Sequence, residues 1–263
     1  TCHNFQGCLY FLELKLKYIL KNGLTIKPIK VKPIDIDLIE TSPYVAAPRR
    51  YSPIEVEFID KIIKQLIAAD CIELNKSARW MSPTMVLNDS EGKPRRLVTD
   101  LRAVNKKCLP IKGVMPDIER EILKISKCNY FAVLDLAKGY WQYPISKKAG
   151  EILTFSTHDA VYSYKRLPQG WLNSVFLFQM LISQIIKDLE LTFCSIVWID
   201  DILIGGVDIE EIISRIEKIL FKFSEMNIRI NWKKSRMCMN QVIFLGRNIT
   251  SKGISYDPKK IST

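Results

Sequence analysis

The spacing of apolar residues along the chain predicts several helices. Between residues 53 and 69 they recur every three or four positions, as on the buried face of a helix. Ser52 precedes this stretch, with proline next and Glu55 two positions further on, which is the pattern of a capping box. Further helices are predicted over residues 116–127, over 174–189 behind a Ser174 cap, and from an Asp208–Glu211 capping box to a left-handed stop at Asn227.

Alternating or continuous β-forming residues between turn residues predict strands. One hairpin is expected from residues 82–87 and 96–99, joined by a turn over 88–92. Another is expected where the apolar runs 196–199 and 202–204 flank two adjacent aspartates. The other predicted strands cover residues 11–20, 129–136, 143–145, 153–156, 161–165, 228–231, 241–246 and 248–254. This mixture predicts an α+β fold in which helices pack on one face of an antiparallel sheet.

The adjacent aspartates, Asp200 and Asp201, are the first candidate for chemistry. They cannot lie inside a continuous buried strand, because burying unpaired carboxylates opposes folding more strongly than the flanking apolar residues favour it. A tight turn is therefore predicted, and carboxylates on a rigid turn suit a hard divalent cation such as Mg²⁺. An ordinary hairpin turn in solvent is the alternative. Asp135, which interrupts the apolar run 129–136, is a candidate third acid or the cap of the following turn.

Composition and charge favour a nucleic-acid partner. The chain has 263 residues, 48% hydrophobic and 25% charged, enough for one large domain or two smaller ones. Its net charge of +11 favours a polyanion, although basic surfaces also serve solubility or membranes. Six cations lie within fifteen residues in the region of the first hairpin and form either a phosphate clamp or a solvated surface: Lys93, Arg95, Arg96, Arg102, Lys106 and Lys107.

Cysteine usage and hydropathy bear on the compartment. Seven scattered cysteines without a CxxC pair, beside two histidines, argue against a structural zinc site and are typical of reduced intracellular thiols. No apolar stretch reaches the roughly 18 residues that span a bilayer, and the first residues lack the order of a signal peptide. We expect an intracellular protein that is not secreted, has no membrane contact, and is excised from something longer.

Six segments, in this order, resemble the motifs of reverse transcriptases from retroviruses and long-terminal-repeat retrotransposons, especially foamy-virus-type and Gypsy-type enzymes: RRLVTDLRAVN, FAVLDLAKGYW, RLPQGWLNS, VWIDDILI, INWKKS and FLGRNIT. The resemblance covers roughly residues 51–260. It implies a right-hand polymerase with fingers at 51–109 and 143–173 and palm at 110–142 and 174–263. Residues 1–50 would be an N-terminal extension or linker, and the thumb, connection and RNase H parts would be absent.

The resemblance also implies an activity. It is that of an RNA- and DNA-templated DNA polymerase of a retroelement Pol polyprotein, which transfers nucleotides from deoxynucleoside triphosphates to a primer 3′-hydroxyl. Two Mg²⁺ ions, for which Mn²⁺ could substitute, would be held by Asp135, Leu136, Asp200 and Asp201. The implied partners are an RNA template, a DNA primer, the RNA/DNA hybrid and the remaining Pol domains (protease, RNase H and integrase). The implied setting is the cytoplasm or a virus-like particle.

Single positions carry further implied roles. Lys233 or Lys234 matches a lysine proposed to protonate pyrophosphate, and Arg96 matches an arginine that contacts the triphosphate. Tyr140 matches the residue that excludes a ribose 2′-hydroxyl, which argues against an RNA polymerase. The other matched positions would contact the triphosphate or the template-primer: Lys93, Asp100, Arg102, Leu136, Ala137, Lys138, Gly139, Gln169, Gly170, Ile199, and a primer grip of Phe244, Leu245 and Gly246.

Three features depart from the family pattern. Trp198 stands where the family usually has tyrosine, and Val175 replaces a proline that starts a helix. The turn of the first hairpin reads Asn88-Asp89-Ser90 where a lysine pair is usual, so that Lys93 is the nearest cation. The alternative function is therefore a catalytically impaired or domesticated relic that binds nucleic acid or a protein partner.

Overall fold

The computed structural model describes residues 27–47 and 49–256, which form two compact units. The first unit contains residues 113–139 and 176–256, and the second contains residues 27–112 and 140–175. The strand predicted over residues 11–20 lies outside the described residues. None of the helices in the described ranges is both long and apolar enough to cross a membrane.

Helices and strands are interspersed along the described chain. The helices are α1 (Pro53–Ala68), α2 (Arg102–Lys107), α3 (Ile118–Leu123), α4 (Gly139–Gln142), α5 (Lys147–Ile152), α6 (Ser174–Asp188) and α7 (Ile209–Met226). The strands are β1 (Ile72–Leu74), β2 (Ser82–Asn88), β3 (Pro94–Thr99), β4 (Tyr130–Asp135), β5 (Phe155–Ser156), β6 (Val161–Tyr164), β7 (Ser195–Trp198), β8 (Asp201–Gly206), β9 (Arg236–Met239), β10 (Gln241–Phe244), β11 (Arg247–Thr250) and β12 (Gly253–Tyr256).

The first unit is built on a four-stranded antiparallel sheet with the order β7-β8-β4-β9. Its apolar residues pack against α3 and a second sheet, β10-β11-β12. Phe131 and Leu203 of the central strands, Ile125 after α3, and Val242 and Ile249 of the second sheet share this buried cluster. Because the apolar side chains fix β4 against β8, the ends of these two strands are fixed as well.

The second unit is built on a five-stranded sheet with the order β1-β6-β5-β2-β3. All its pairings are antiparallel except the parallel pair β2–β5. Residues 27–47 run along this unit, with isolated bridges from Ile34 to Ile145 and from Val45 to Met81. Ile36 is 1% exposed, so this segment contributes to the core of the unit.

The α+β prediction is confirmed, and so are several local signals. The Ser52 hydroxyl accepts the Glu55 N–H, and the Glu55 carboxylate accepts the Ser52 N–H at 2.8 Å, which completes the capping box. Asn227 ends α7 with a φ of +62°, as a left-handed stop does. Both predicted hairpins, β2–β3 and β7–β8, are present.

Other predictions were wrong at the ends of elements. The helix predicted over 116–127 spans only α3, because Asp117 caps it and the chain turns after Leu123. Ser174 is the first residue of α6 rather than its cap, since its hydroxyl donates to the Pro168 carbonyl. In the second capping box, Glu211 accepts the Val207 N–H and not that of Asp208.

Three predicted strands were also wrong. Residues 143–145 form isolated bridges rather than a strand, because α4 occupies the residues just before them and proline at 144 has no N–H to donate. Residues 228–231 form a single bridge, from Ile230 to Leu136. The strand predicted over 248–254 is divided by a turn at 251–252 into β11 and β12. Helices α2, α4 and α5 and strands β1 and β9 were not predicted.

Candidate functional site

The central strands of the first unit bring three acids together. Asp135 is the last residue of β4, Asp201 is the first residue of β8, and the two are direct antiparallel partners. Asp200 lies in the two-residue turn between β7 and β8, beside Ile199. The turn therefore presents two carboxylates next to the one that ends the neighbouring strand.

A buried glutamine holds this turn. Ile199 has a φ of +55°, in the left-handed region that β-branched residues rarely adopt, at a position where glycine is common in tight hairpins. Gln179 of α6 is 3% exposed. Its amide donates to the Val197 carbonyl at 2.9 Å, and its carbonyl accepts the Ile199 N–H at 2.7 Å. Gln179 thus forms hydrogen bonds with the backbone on both sides of Trp198, just before the two acids.

Gln179 was not among the residues predicted for the site. The available signal was a glutamine within an apolar helix, directly after Phe178. A polar side chain on the buried face of a helix needs a hydrogen-bond partner, which here is the turn that carries Asp200.

Asp135 is held by the segment before β9. Its N–H donates to the Ser235 hydroxyl at 3.1 Å, and its carbonyl accepts the Asn231 N–H at 2.7 Å. Ser235, which is 4% exposed, also donates to the Asn231 carbonyl at 2.9 Å. Both predicted lysines lie exposed in the turn at 232–234, and Lys234 Nζ is 3.7 Å from Asp135 Oδ2.

The electrostatics of the site disfavour three negative charges. Burial, followed by the charges of Asp201 and Asp135, raises the pKa of Asp200 to about 6, while Lys234 opposes this shift. Burial and the charge of Asp135 likewise raise the pKa of Asp201. Each shift indicates a carboxylate that a nearby positive charge would stabilise.

Asp200 also has an oxygen without a partner. Its Oδ1 is buried and accepts no hydrogen bond from the described residues. A Cβ atom at Gly139 would overlap this oxygen and lie 2.7 Å from the Phe178 ring, so glycine there leaves room for the carboxylate. Three carboxylates with an orphaned buried oxygen are a donor set that fits a hard divalent cation.

The carboxylate oxygens of Asp135, Asp200 and Asp201 are not all within 4.8 Å of one another. Among the described residues, the group whose ligand atoms all lie within 4.8 Å of one another is Asp60, His158 and Asp159, in the second unit. Mutual repulsion between the acids of the first unit favours a wider spacing, and the Lys234 ammonium, 3.7 Å from Asp135, offsets part of that repulsion.

The other predicted residues of the first unit are mostly main-chain features. The Leu136 N–H donates to the Asp200 carbonyl at 2.8 Å, and the Ala137 N–H donates to the Arg229 carbonyl at 2.9 Å. Lys138 has a φ of +52°. The predicted primer grip lies at the β10–β11 turn: Phe244 is 2% exposed in the core, and Leu245 and Gly246 turn the chain with φ of +50° and +76°.

In the second unit, several predicted cations already have acidic partners. Lys93 pairs with Glu91 at 2.8 Å, Lys107 pairs with Glu40, and Arg102 bonds Asp100 at 2.9 and 2.7 Å. The Arg102 guanidinium, with smaller effects from Arg49, lowers the pKa of Asp100 to about 2. These pairs reduce the net charge available to a phosphate clamp.

The remaining predicted positions of the second unit differ in exposure. Arg96 lies exposed on β3, opposite Leu87 of β2. Gln169 is exposed, and Gly170, with a φ of +96°, offers its carbonyl to Asn105. Tyr140 is 9% exposed.

The family described as reverse transcriptase (RNA-dependent DNA polymerase) matches residues 86–249, and the chain belongs to this family. Its fold is that of right-hand polymerases: it superposes on the foamy viral protease-reverse transcriptase in complex with double-stranded DNA with a TM-score of 0.86 and 24% identity, over 97% of this chain and 45% of that one. The same viral protein in complex with an RNA/DNA hybrid gives 0.85 and 23%, over 97% of this chain and 34% of that one. The predicted family and fold are therefore confirmed.

More particularly, the chain is a reverse transcriptase domain of the kind found in retroelement Pol polyproteins. It is 29% identical over 210 residues to the Pol polyprotein of transposon gypsy from Drosophila melanogaster, covering 78% of this chain and 20% of that protein. It is 30% identical over 196 residues to the Pro-Pol polyprotein of Simian foamy virus type 1, covering 74% and 16%. The chain thus spans about a fifth of the length of these two relatives.

Proposed function

We propose that this chain supplies the fingers and palm of a divalent-metal-dependent polymerase that extends a DNA primer along an RNA or DNA template with deoxynucleoside triphosphates. One observation carries the proposal: Asp135 pairs with Asp201 across the central strands, and Asp200 lies buried beside them with an unpartnered oxygen. We assign the fingers to residues 51–109 and 143–173 and the palm to 110–142 and 174–263. The sequence boundaries of the two compact units, at 112/113, 139/140 and 175/176, support this assignment.

The three aspartates would hold two Mg²⁺ ions, together with the main chain of Leu136. When bound, such ions supply a lowered pKa at the primer hydroxyl and neutralise charge on the triphosphate. The protein's own contribution is to position the acids through Gln179 and Ser235. Lys234 is the residue we propose as proton donor to pyrophosphate, since its ammonium lies beside Asp135.

The roles of the second unit rest on the family resemblance. We propose that Arg96 contacts the triphosphate, that Tyr140 excludes a ribose 2′-hydroxyl, and that Gln169 lies under the nucleotide and template base. The exposure of Arg96 and Gln169 supports these roles, because both side chains are accessible to a substrate. A Tyr140→Ala variant should incorporate ribonucleotides more readily, and unchanged discrimination would remove this assignment.

The proposed partners are a template, a primer and their hybrid, followed by the other Pol domains (protease, RNase H and integrase). The foamy viral proteins named above were seen with double-stranded DNA and with an RNA/DNA hybrid. The net charge of +11 supports a polyanionic partner here as well. Binding should weaken steeply with salt, because each phosphate contact releases counterions.

A second candidate is a binding module without catalysis. Its support is the turn of the β2–β3 hairpin, where Lys93 is paired with Glu91 and so offers little charge to a triphosphate. This candidate predicts nucleic-acid binding that does not depend on the three aspartates.

Primer extension on an RNA template with Mg²⁺ tests the proposal. We would compare the wild-type chain with Asp200→Asn/Asp201→Asn and with Asp188→Asn/Glu210→Gln, which removes two exposed acids outside the site. We expect extension by the wild type and the control and none by the site variant. If the wild type is inactive, the assay is repeated with a thumb from the parent polyprotein restored. Inactivity there, with nucleic-acid binding retained, would favour the binding module.

A further inference from the structure

A group of three metal-ligating side chains lies in the second unit, on two different elements. Asp60 belongs to α1, whereas His158 and Asp159 lie in the turn between β5 and β6. His158 Nε2 is 3.4 Å from Asp60 Oδ1 and 3.9 Å from Asp159 Oδ1. Because all the ligand atoms lie within 4.8 Å of one another, one small ion can reach the three of them.

The spacing fits a tetrahedral transition-metal site. Zinc binds imidazole nitrogen and carboxylate oxygen at about 2.0–2.2 Å, so that neighbouring ligand atoms of a tetrahedron are about 3.4 Å apart. The His158–Asp60 separation of 3.4 Å matches this edge, and the His158–Asp159 separation of 3.9 Å lies within a small side-chain movement of it. One nitrogen and two oxygens suit zinc and its neighbours, whereas Mg²⁺ prefers oxygen alone.

Both elements that carry the ligands are ordered by their own contacts. Asp60 follows Ile59, a fully buried residue of the same helix. The Thr157 hydroxyl donates to Asp159 Oδ1 at 2.8 Å, and the Thr157 N–H donates to the Ala160 carbonyl at 2.9 Å. The turn therefore holds the Asp159 carboxylate by a hydrogen bond, as is common for metal ligands, with its Oδ1 3.9 Å from His158 Nε2.

The charge of the group favours a cation. Among the described residues, His158 is the basic side chain within 4.0 Å of either carboxylate. A neutral imidazole, the form that binds metals, leaves two negative charges uncompensated at this point. The side chains of Asp60, His158 and Asp159 are 46%, 24% and 58% exposed, so an ion can enter from solvent and keep a water as its fourth ligand.

We propose that Asp60, His158 and Asp159 bind one zinc-class divalent cation that ties α1 to the β5–β6 turn. The site is separate in sequence and in ligand type from the three aspartates of the first unit. Its proposed role is to stabilise the second unit, because an ion that binds the folded chain raises its stability by mass action. The lack of a CxxC pair in the sequence does not count against this site, because none of its proposed ligands is a cysteine.

Metal binding to the full chain tests the proposal. After chelator treatment, zinc would be titrated by calorimetry, and Co²⁺ would replace it as a spectroscopic probe. We expect one strong site per chain, with the visible absorption of tetrahedral cobalt and without the near-ultraviolet band of a thiolate ligand. His158→Gln and Asp60→Asn should each weaken zinc binding by at least about tenfold, the lower limit for loss of even an outer partner of a metal ligand.

Two controls separate this site from others. His3→Gln removes the chain's other histidine, and Asp200→Asn/Asp201→Asn removes the acids of the first unit. Neither should change the strong zinc site, and Mg²⁺ should not compete for it. Zinc should raise the thermal midpoint of the wild type and of both controls, but not of His158→Gln. Wild-type affinity in His158→Gln and Asp60→Asn, or no binding of zinc by the wild type, would overturn the proposal and leave an ordinary histidine–aspartate ion pair.

Discussion

The hydrogen bonds of Gln179 give the sharpest test of how the acidic turn is held. In Gln179→Met the side chain keeps its size but loses both bonds to the turn, so the Val197 carbonyl and the Ile199 N–H lose their partner. A buried polar group without a partner destabilises a protein by about 1–3 kcal/mol. Val197 is 7% exposed and takes the full effect, whereas Ile199 is half-buried and takes about half. The expected loss of unfolding free energy is about 2–4 kcal/mol.

Urea unfolding measures this loss, and Gln184→Met is the matched control. Gln184 lies on the same helix but is exposed, and its amide bonds the exposed Asp188 at 2.6 Å. Its substitution should change stability by no more than about 0.5 kcal/mol. If Gln179→Met loses no more than this control, the glutamine does not hold the turn and the reasoning fails.

A second variant separates the turn from general packing. Ile199→Gly removes the penalty of a side chain at a φ of +55°, which is about 1–2 kcal/mol for an ordinary residue. In the Gln179→Met background, Ile199→Gly should therefore stabilise the chain more than it does in the wild type, because the Gln179 hydrogen bonds no longer hold the strained turn. The two substitutions should therefore be coupled in a double-mutant cycle. Strict additivity would contradict a shared role.

Three further predictions follow from the same site. Gly139→Ala should abolish primer extension and reduce stability by about 1–3 kcal/mol, because its methyl group would overlap Asp200 Oδ1. A stable, active variant would show that glycine is not needed there to make room for the Asp200 carboxylate. Asp200 has a pKa of about 6 when folded and an ordinary value of 3.8, so the folded chain binds more protons between these values and its stability falls as the pH rises through them. Asp200→Asn should then be more stable than the wild type at neutral pH by about 1–2 kcal/mol, allowing for solvent screening, and no more stable below about pH 4, as urea unfolding at both pH values would show. Ser235→Ala should reduce stability by about 1 kcal/mol, by loss of the acceptor for the Asp135 N–H, and lower the extension rate more than a Ser126→Ala control on the surface.

The sequence was sufficient to locate the acids, because charge in an apolar run permits few structures. Asp200 and Asp201 had to lie at a turn, whereas the place of Asp135 on a neighbouring strand came from the resemblance to reverse transcriptases. Helix α7 was equally readable, since caps at both ends enclosed one apolar stripe. In these regions local preferences and tertiary packing agree.

What could not be predicted depends on contacts between distant residues. The role of Gln179 depends on how α6 is rotated against β7, which apolar spacing alone does not determine. The strand expected over 248–254 is broken by a turn that the alternation of residues does not reveal. Asp60 and His158 lie far apart in the sequence, and their approach depends on how α1 packs against the sheet of the second unit.

The pairing of Asp135 with Asp201 has a consequence for how the site can be lost. Side chains alternate between the two faces of a strand, so a shift of β8 along β4 by a single residue would send Asp201 to the opposite face. The pairs Leu134–Ile202 and Phe131–Gly205 help to fix this alignment, and none of these residues is acidic. Inactivating changes can therefore accumulate among apolar residues of the sheet while every carboxylate remains in the sequence. An intact aspartate triad in a related chain is thus no guarantee of activity unless the apolar register beneath it is intact too.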